Sequence, residues 1–423
     1  MISCDDKALY FAPVMWVFEL IKKAYGIDII GNPKINVKIG IEADDDIQLL
    51  NSLYVNLLAS FYKFEHQNYF HTKPLITLEN GLPDYISTIF YLVNGFQEFY
   101  LPEDQKDKYG RMDYKHSLQS KFDVLQKDLV KDYVQKLLHQ IDSSLKISER
   151  KSRIFVSHDI DSVYGSLKYD GLWALKNGNI QLMLKVIAQT VMLKPPWFNI
   201  DKVATLENEY DIKACYYWIV QNGRSEDGIK NGDYNFKSQK IQDQLNLAKS
   251  FGNEIGLHKS TMKTGFKEEV KAIPNVKSNR FHFLKIDNPN SFKEMQESGI
   301  QSDSSIGFPY NIGFKNSFGM PYYPFDIYRR GNTQVLEIPL QIMDGMFNIT
   351  NQKSSQKAYE QITDFIEANK FNAIISILWH NSEMTNFAYK WSFECYKKLL
   401  QYFVEMDFDT VLPSQLVKEY EST

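Results

Sequence analysis

The 423-residue chain reads as an α/β protein in which strands and helices alternate over the larger, carboxyl-terminal part. Three observations predict this class. Six apolar runs rich in β-branched or aromatic residues follow Arg153, at Ile154–Ser157, Ala214–Val220, Glu254–His258, Phe281–Ile286, Val335–Leu340 and Ala373–Trp379. Helical periodicity falls between several of them. It is clearest from Lys237 to Phe251, where Ile241, Leu245, Ala248 and Phe251 share a face and Gly252 supplies the stop. Polar residues able to do chemistry stand at the carboxyl ends of three runs. Strands alternating with helices predict a parallel sheet, and the length predicts a barrel-like arrangement.

Before Arg153 the pattern is a smaller α/β unit that is mostly helical. Apolar residues from Leu9 to Tyr25 suit a helix stopped by Gly26, and Ile35, Val37 and Ile39 alternate like a strand. Helical spacing returns from Ile47 to Phe64, from Asp84 to Phe99 with Pro83 at its start, and over 118–145. A chain of this size exceeds what one core supports, so two domains are expected, 1–148 and 149–423, divided at the charged segment Lys146 to Ser152. The stretches Leu193 to Asn199 and Asn222 to Asn235 read as surface connections, either of which could border a cleft.

Composition excludes several function classes. A hydrophobic share of 43% with 24% charged residues is that of an ordinary globular protein. A net charge of −4 offers no general basic surface to displace counterions from phosphates, so no nucleic-acid partner is expected. The aromatic share, 14%, suits stacking on sugars, although filling cores is the commoner use. Cys4, Cys215 and Cys395 lie far apart and form neither a zinc knuckle nor a disulfide framework, which fits a reducing compartment. The first residues are acidic and lack the apolar core of a secretion signal, and no window of about eighteen apolar residues predicts a membrane span. A cytoplasmic location is expected.

The chemistry begins at His158-Asp159-Ile160-Asp161. Side chains alternate along a strand, so Asp159 and Asp161 share a face and His158 takes the other. One carboxylate can hold a metal while its neighbour stays ionised as a base, whereas two aspartates after a strand also simply solvate a turn. His258 and His380 end further runs, and in parallel α/β barrels this rim carries the active site. One carboxylate with imidazoles and an open position suits a divalent cation, zinc above others, and such a centre hydrolyses amides or esters.

Four segments resemble the motifs of the polysaccharide deacetylase family, the NodB-homology carbohydrate esterases, and especially its branch associated with surface-polysaccharide biosynthesis. They are Phe155-Val156-Ser157-His158-Asp159-Ile160-Asp161, Gly256-Leu257-His258-Lys259-Ser260, Asn279-Arg280-Phe281-His282-Phe283-Leu284 and Ile377-Leu378-Trp379-His380-Asn381. Asp303 to Phe308, continuing to Gly313-Phe314, also resembles that branch, and Lys108-Tyr109-Gly110-Arg111 resembles the domain that often precedes it. The resemblance implies a deformed (β/α) barrel of the NodB-homology type over 149–423. It implies Asp159 as general base, Asp161 and His258 as metal ligands, Arg280 as the partner orienting Asp159, and His380 as the acid for the leaving amine. The family places a second metal histidine shortly after the first, where this chain has Met262. His282 is the candidate substitute, with a core histidine as the alternative reading; His158 is expected to be structural, and water could also complete the shell.

Other features weigh less. Asp303, Ser304 and Ser305 could bond a sugar or make a turn. Asp326 and Asp344 read as turn or cap residues. His66, His71, His116 and His139 form no ligand spacing, and the chain has neither a phosphate-binding P-loop nor a serine nucleophile elbow. The expected function is removal of acetyl from an N-acetylated sugar of a surface polysaccharide or its precursor. A carbohydrate-binding or scaffolding homologue that lost a ligand, and an amidohydrolase acting on a small non-sugar amide, are the alternatives.

Overall fold

The computed structural model describes residues 2–4, 11–54, 69–99, 101–192, 194–288, 290–349 and 354–423. Its amino-terminal part opens with β1 (Ile2–Cys4), followed by the helix Phe11–Tyr25, β2 (Val37–Gly40) and β3 (Ile47–Gln48). The three strands form a parallel sheet in that order. Leu9, the expected start of the first helix, lies outside the described residues. Ile47 and Gln48 are strand and not the start of a helix, because they pair with Ile39 and Gly40. The rest of that expected helix, beyond Tyr54, also lies outside the described residues.

Helix Tyr85–Val93 starts after Pro83, and its N-cap Asp84 accepts from the Ser87 N–H at 2.8 Å. The expected helix over 118–145 is two pieces, Leu118–Lys121 and Leu129–Ile141, parted by Asp123 in the left-handed region (φ +51°) and restarted by the cap Asp128.

The larger part carries β4 (Arg153–Ile160), β5 (Ala214–Trp218), β6 (Glu254–Lys259), β7 (Ser278–Phe281) and β8 (Ser302–Asp303). A small antiparallel hairpin, β9 (Phe325–Asp326) with β10 (Gly331–Asn332), precedes β11 (Leu336–Glu337), β12 (Ile342–Met343) and β13 (Ile374–Leu378). Eight of these strands form one sheet in the order β11-β8-β7-β6-β5-β4-β13-β12, with every pairing parallel.

The two edges of this sheet belong to a single stretch of chain. Within it, the Ile338 and Leu340 N–H groups donate to Asp303 and Ile306 on one side, at 2.8 and 2.9 Å, and the Gln341 and Asp344 N–H groups donate to Ser376 and Leu378 on the other, at 3.3 and 3.2 Å. The sheet therefore closes on itself as a deformed barrel.

Alternation along β4 partitions the core. Ile154, Val156 and Ile160 face the surrounding helices, together with Trp218, Leu257 and Ile375, and meet Leu399 of the helix Lys390–Glu405, whereas Phe155 packs inside with Tyr217, Leu336 and Ile338. Ser157 and Asp159 share the parity of Phe155 and so also point inward. A separate core holds the amino-terminal part, where Val17, Ile21, Phe90 and Leu138 pack with Phe318, Tyr322, Phe325 and Ile327 from the segment between β8 and β11.

The expected strand Phe281–Ile286 is a correction: β7 ends at Phe281, and a turn follows in which Phe283 and Leu284 take positive φ (+59° and +54°). β8, only two residues long, lay outside the expected strands.

Candidate metal centre

The ends of four strands and the turns that follow them bring the site together at the carboxyl rim of the barrel. Asp159 sits near the end of β4 and Asp161 one residue past it; His258 is on β6, His282 in the turn after β7, and His380 two residues past β13. His258 Nε2 lies 3.1 Å from Asp161 Oδ1 and 3.5 Å from Asp159 Oδ2. His282 Nε2 and His380 Nε2 lie 3.8 and 3.5 Å from Asp161 Oδ2. Asp161, His258 and His282 each offer one ligand atom, all within 4.8 Å of one another. Asp161 Oδ1 is buried with no donor aligned on it, an arrangement that a buried carboxylate in contact with imidazole nitrogens tolerates only with a cation or shared protons.

The far nitrogens are committed elsewhere. His258 Nδ1–H donates to the Arg280 carbonyl at 2.9 Å, and His282 Nδ1–H points at Asn231 Oδ1 at 3.4 Å. Both Nε2 lone pairs are thereby turned toward Asp161, as metal-ligating histidines require. Burial pushes His282 down to about 4 against the pull of Asp161. Burial also works to lower His258, but the Asp159 and Asp161 carboxylates raise it above its ordinary value. Asp161 is held well below the usual carboxylate range: burial opposes ionisation, and the His282, His258 and His380 imidazoles outweigh it. One carboxylate with two imidazoles fits a divalent ion with an open position.

His282 is braced from the amino-terminal part. Its ring stacks on Phe283 at 4.0 Å between centroids, Phe283 stacks on Tyr109 at 4.4 Å, and Arg111 donates to the Phe283 carbonyl. A non-glycine residue at positive φ is costly unless its surroundings hold it, and Arg111 is part of what holds this one.

Arg280 is buried among inward-facing groups. It donates to Asp159 Oδ1 at 3.0 Å, Ser157 Oγ at 2.9 Å, and the Ser304 carbonyl and hydroxyl at 2.8 and 2.9 Å, with its guanidinium 4.6 Å from the Tyr217 ring centre. The Asp303-Ser304-Ser305 run is thus a buried support: Ser304 receives Arg280, and the Ser305 hydroxyl accepts from the Phe281 N–H at 2.9 Å.

Asp344 corrects the expectation of a turn residue. It is fully buried and accepts from both the backbone N–H and the ring Nδ1 of His380, at 2.6 and 2.7 Å. Against the lowering effect of burial, this carboxylate pushes His380 up to about 10. The available sequence signal was its place at the carboxyl end of an apolar run, the same placement that singled out Asp159 and Asp161.

His158 points away from the site, with Nδ1 2.8 Å from the Trp379 carbonyl and Nε2 2.5 Å from buried Glu207. Met262 stands in the loop after β6 and offers no metal donor of the expected kind; its N–H donates to Ser260 Oγ at 3.2 Å. Asp326 caps a turn through the Tyr328 and Arg329 N–H groups at 2.9 and 3.0 Å. His71, His116 and His139 are exposed, and His66 lies outside the described residues.

Fold and site together define a closed parallel α/β barrel with a candidate three-ligand metal centre on its carboxyl rim. Residues 30–146 match the model of a family of unknown function, DUF7033. No curated protein matches the chain. Among solved structures, the barrel is similar to a Mycobacterium smegmatis protein provisionally described as a polysaccharide deacetylase, at 10% identity and a TM-score of 0.41, covering 64% of this chain and 92% of that one. It is also similar to the polysaccharide deacetylase Bc1974 of Bacillus cereus, at 12% identity and 0.31, covering 63% and 94%. A third is BA3943 of Bacillus anthracis, a carbohydrate esterase family 4 pseudoenzyme, at 10% identity and 0.32, covering 66% and 71%. These likenesses concern the fold.

Proposed function

We propose that the chain is a metal-dependent deacetylase that removes the N-acetyl group from a sugar of a surface polysaccharide or its precursor. The observation that carries this reading is a three-ligand cluster at the carboxyl rim of the barrel, with a candidate base, Asp159, beside His258 and a candidate acid, His380, beside Asp161. Asp161, His258 and His282 would hold the ion. A divalent ion there supplies Lewis-acid polarisation of an amide carbonyl.

The chain's own groups do the rest. Asp159, kept in place by Arg280 through one oxygen, turns its other oxygen to the centre and takes a proton from the attacking water. His380, kept protonated by Asp344, gives a proton to the departing amine nitrogen. The sugar and its polysaccharide setting rest on the motif resemblance.

Metal analysis of the purified protein, with acetate release from N-acetylhexosamine oligomers, tests the reading. Asp159→Asn is expected to keep its metal and lose turnover by at least about a hundredfold. His258→Ala is expected to lose the ion. Equal metal loss in both variants counts against the assigned roles. Met262, standing where a histidine is expected, favours a second reading as an inert carbohydrate-binding homologue; sugar binding without acetate release under zinc, cobalt and nickel would establish it.

A further inference from the structure

Just past Asp161 the chain leaves the rim and forms a helical hairpin: a turn of helix at Leu167–Gly171, helix Leu172–Lys176 and helix Ile180–Val191. Residues spaced by four, three and four lie along one face of a helix. Here Ile180, Leu184, Ile187 and Val191 have that spacing, and they are 60, 56, 39 and 76% exposed. The usual amphipathic arrangement is inverted, with the apolar stripe facing solvent and only Val186 of this helix buried. Leu172, Trp173 and Leu175 of the preceding helix, with Tyr169 beside them, extend the same exposed apolar surface. Contiguous exposure on this scale marks an interaction site.

Charge identifies the occupant. Between Tyr164 and Lys194 the charged residues are Lys168, Lys176, Lys185, Lys194 and Asp170. Asp170 is buried and accepts from the Trp197 indole N–H at 3.0 Å, and burial pushes it up to about 6. Every exposed charge on the hairpin is therefore positive, in a chain whose net charge is −4. None of the four lysines joins an ion pair among the described residues. A second copy of the chain seated on this face would set the three hairpin lysines and the adjoining Lys194 against their own counterparts, with no exposed carboxylate on the hairpin to meet them. Lysines flanking an apolar face of Leu, Ile, Trp and Tyr are instead what an anionic lipid surface takes.

We propose that the hairpin 165–192 docks the protein on an anionic membrane surface. Its helices are five and twelve residues long, and no helix among the described residues is long and apolar enough to cross a membrane, so the contact is interfacial. The docked face borders the site. Lys168 and Tyr169 line a groove of about 600 Å³ together with Lys108, Arg224 and Phe283, the residue stacked on His282. Docking concerns binding alone and stands apart from the proposed activity.

The test is co-sedimentation of the full chain with vesicles of phosphatidylcholine and of phosphatidylcholine mixed with phosphatidylglycerol. Binding to the mixed vesicles, weakened by salt, is expected. Lys176→Glu and Lys185→Glu should each weaken it at least about fivefold. Leu184→Asp with Val191→Asp should abolish it while leaving the thermal midpoint unchanged, since both side chains are already in solvent. Failure of the wild type to bind the mixed vesicles overturns the proposal. So does binding that survives the double substitution, or a double substitution that only converts an oligomer to a monomer in light scattering.

Discussion

Arg280 shows how much a single buried charge is asked to do. Its guanidinium meets Asp159, two serines and the face of Tyr217 with no access to solvent. Removing one member of a buried pair leaves the other charge uncompensated, so Arg280→Met is expected to cost about 3–5 kcal/mol in urea unfolding. Combining it with Asp159→Asn should cost less than the sum of the two single changes; strict additivity would show that the two are uncoupled. His380 carries the second residue-scale prediction. With Asp344 raising it, its folded-state pKa exceeds the ordinary histidine value, so its contribution to stability is complete below that value and is lost as pH rises through about 10. Nuclear magnetic resonance titration of the metal-free protein should find His380 still protonated at neutral pH, and Asp344→Asn should bring its midpoint down toward the ordinary value. An unchanged midpoint would remove Asp344 from the account.

At the scale of elements, β6 is built around a missing side chain. The Tyr217 ring of β5 lies over Gly256, where a Cβ would sit 2.3 Å from the ring, and the same ring carries the Arg280 guanidinium on its face. Gly256→Ala must displace Tyr217 and disturb the Arg280 guanidinium on its face. Overpacking of this kind costs about 1–3 kcal/mol. Unfolding measurements should show that loss, and Gly256→Ala combined with Tyr217→Leu should recover part of it; no recovery would mean the strain lies elsewhere. The turn after β7 is the complementary case. β7 ends after four residues, and the chain turns away just past His282 through two positive-φ residues, Phe283 and Leu284.

Across the whole molecule, Asp128 ties the amino-terminal helices to the segment between β8 and β11. It caps the helix Leu129–Ile141 through the Lys131 N–H at 3.0 Å and accepts from the Gly319 N–H, also at 3.0 Å, in the segment that completes the amino-terminal core. Burial pushes its carboxyl up to about 7. A carboxyl raised on folding favours the folded state fully below its unfolded value, and that contribution fades as pH rises through the folded value. The stability of the wild type relative to Asp128→Asn should therefore fall between about pH 4 and 7, by an amount on the order of a few kcal/mol. A difference independent of pH would refute the assignment. Tyr109 and Arg111 give a second tie, since they reach from the amino-terminal part to the turn that carries His282.

What was legible in the sequence is what local sterics decide. Alternation along the run from Arg153 places Asp159 and Asp161 together and turns His158 to the helices, because successive strand side chains cannot share a face. Apolar runs located five of the eight barrel strands to within a few residues, and Gly252 sits where the helix stop was expected. The two-residue strands β8 and β12 were not legible, since Ser302–Asp303 is strand only because Ser278 and Leu336 lie beside it. Nor were the buried roles of Ser304 and Asp344, or the reach of Arg111 into the site. The tertiary structure decided these, because strand order and register bring together residues tens to hundreds of positions apart, and no local preference of the chain encodes which of them will meet.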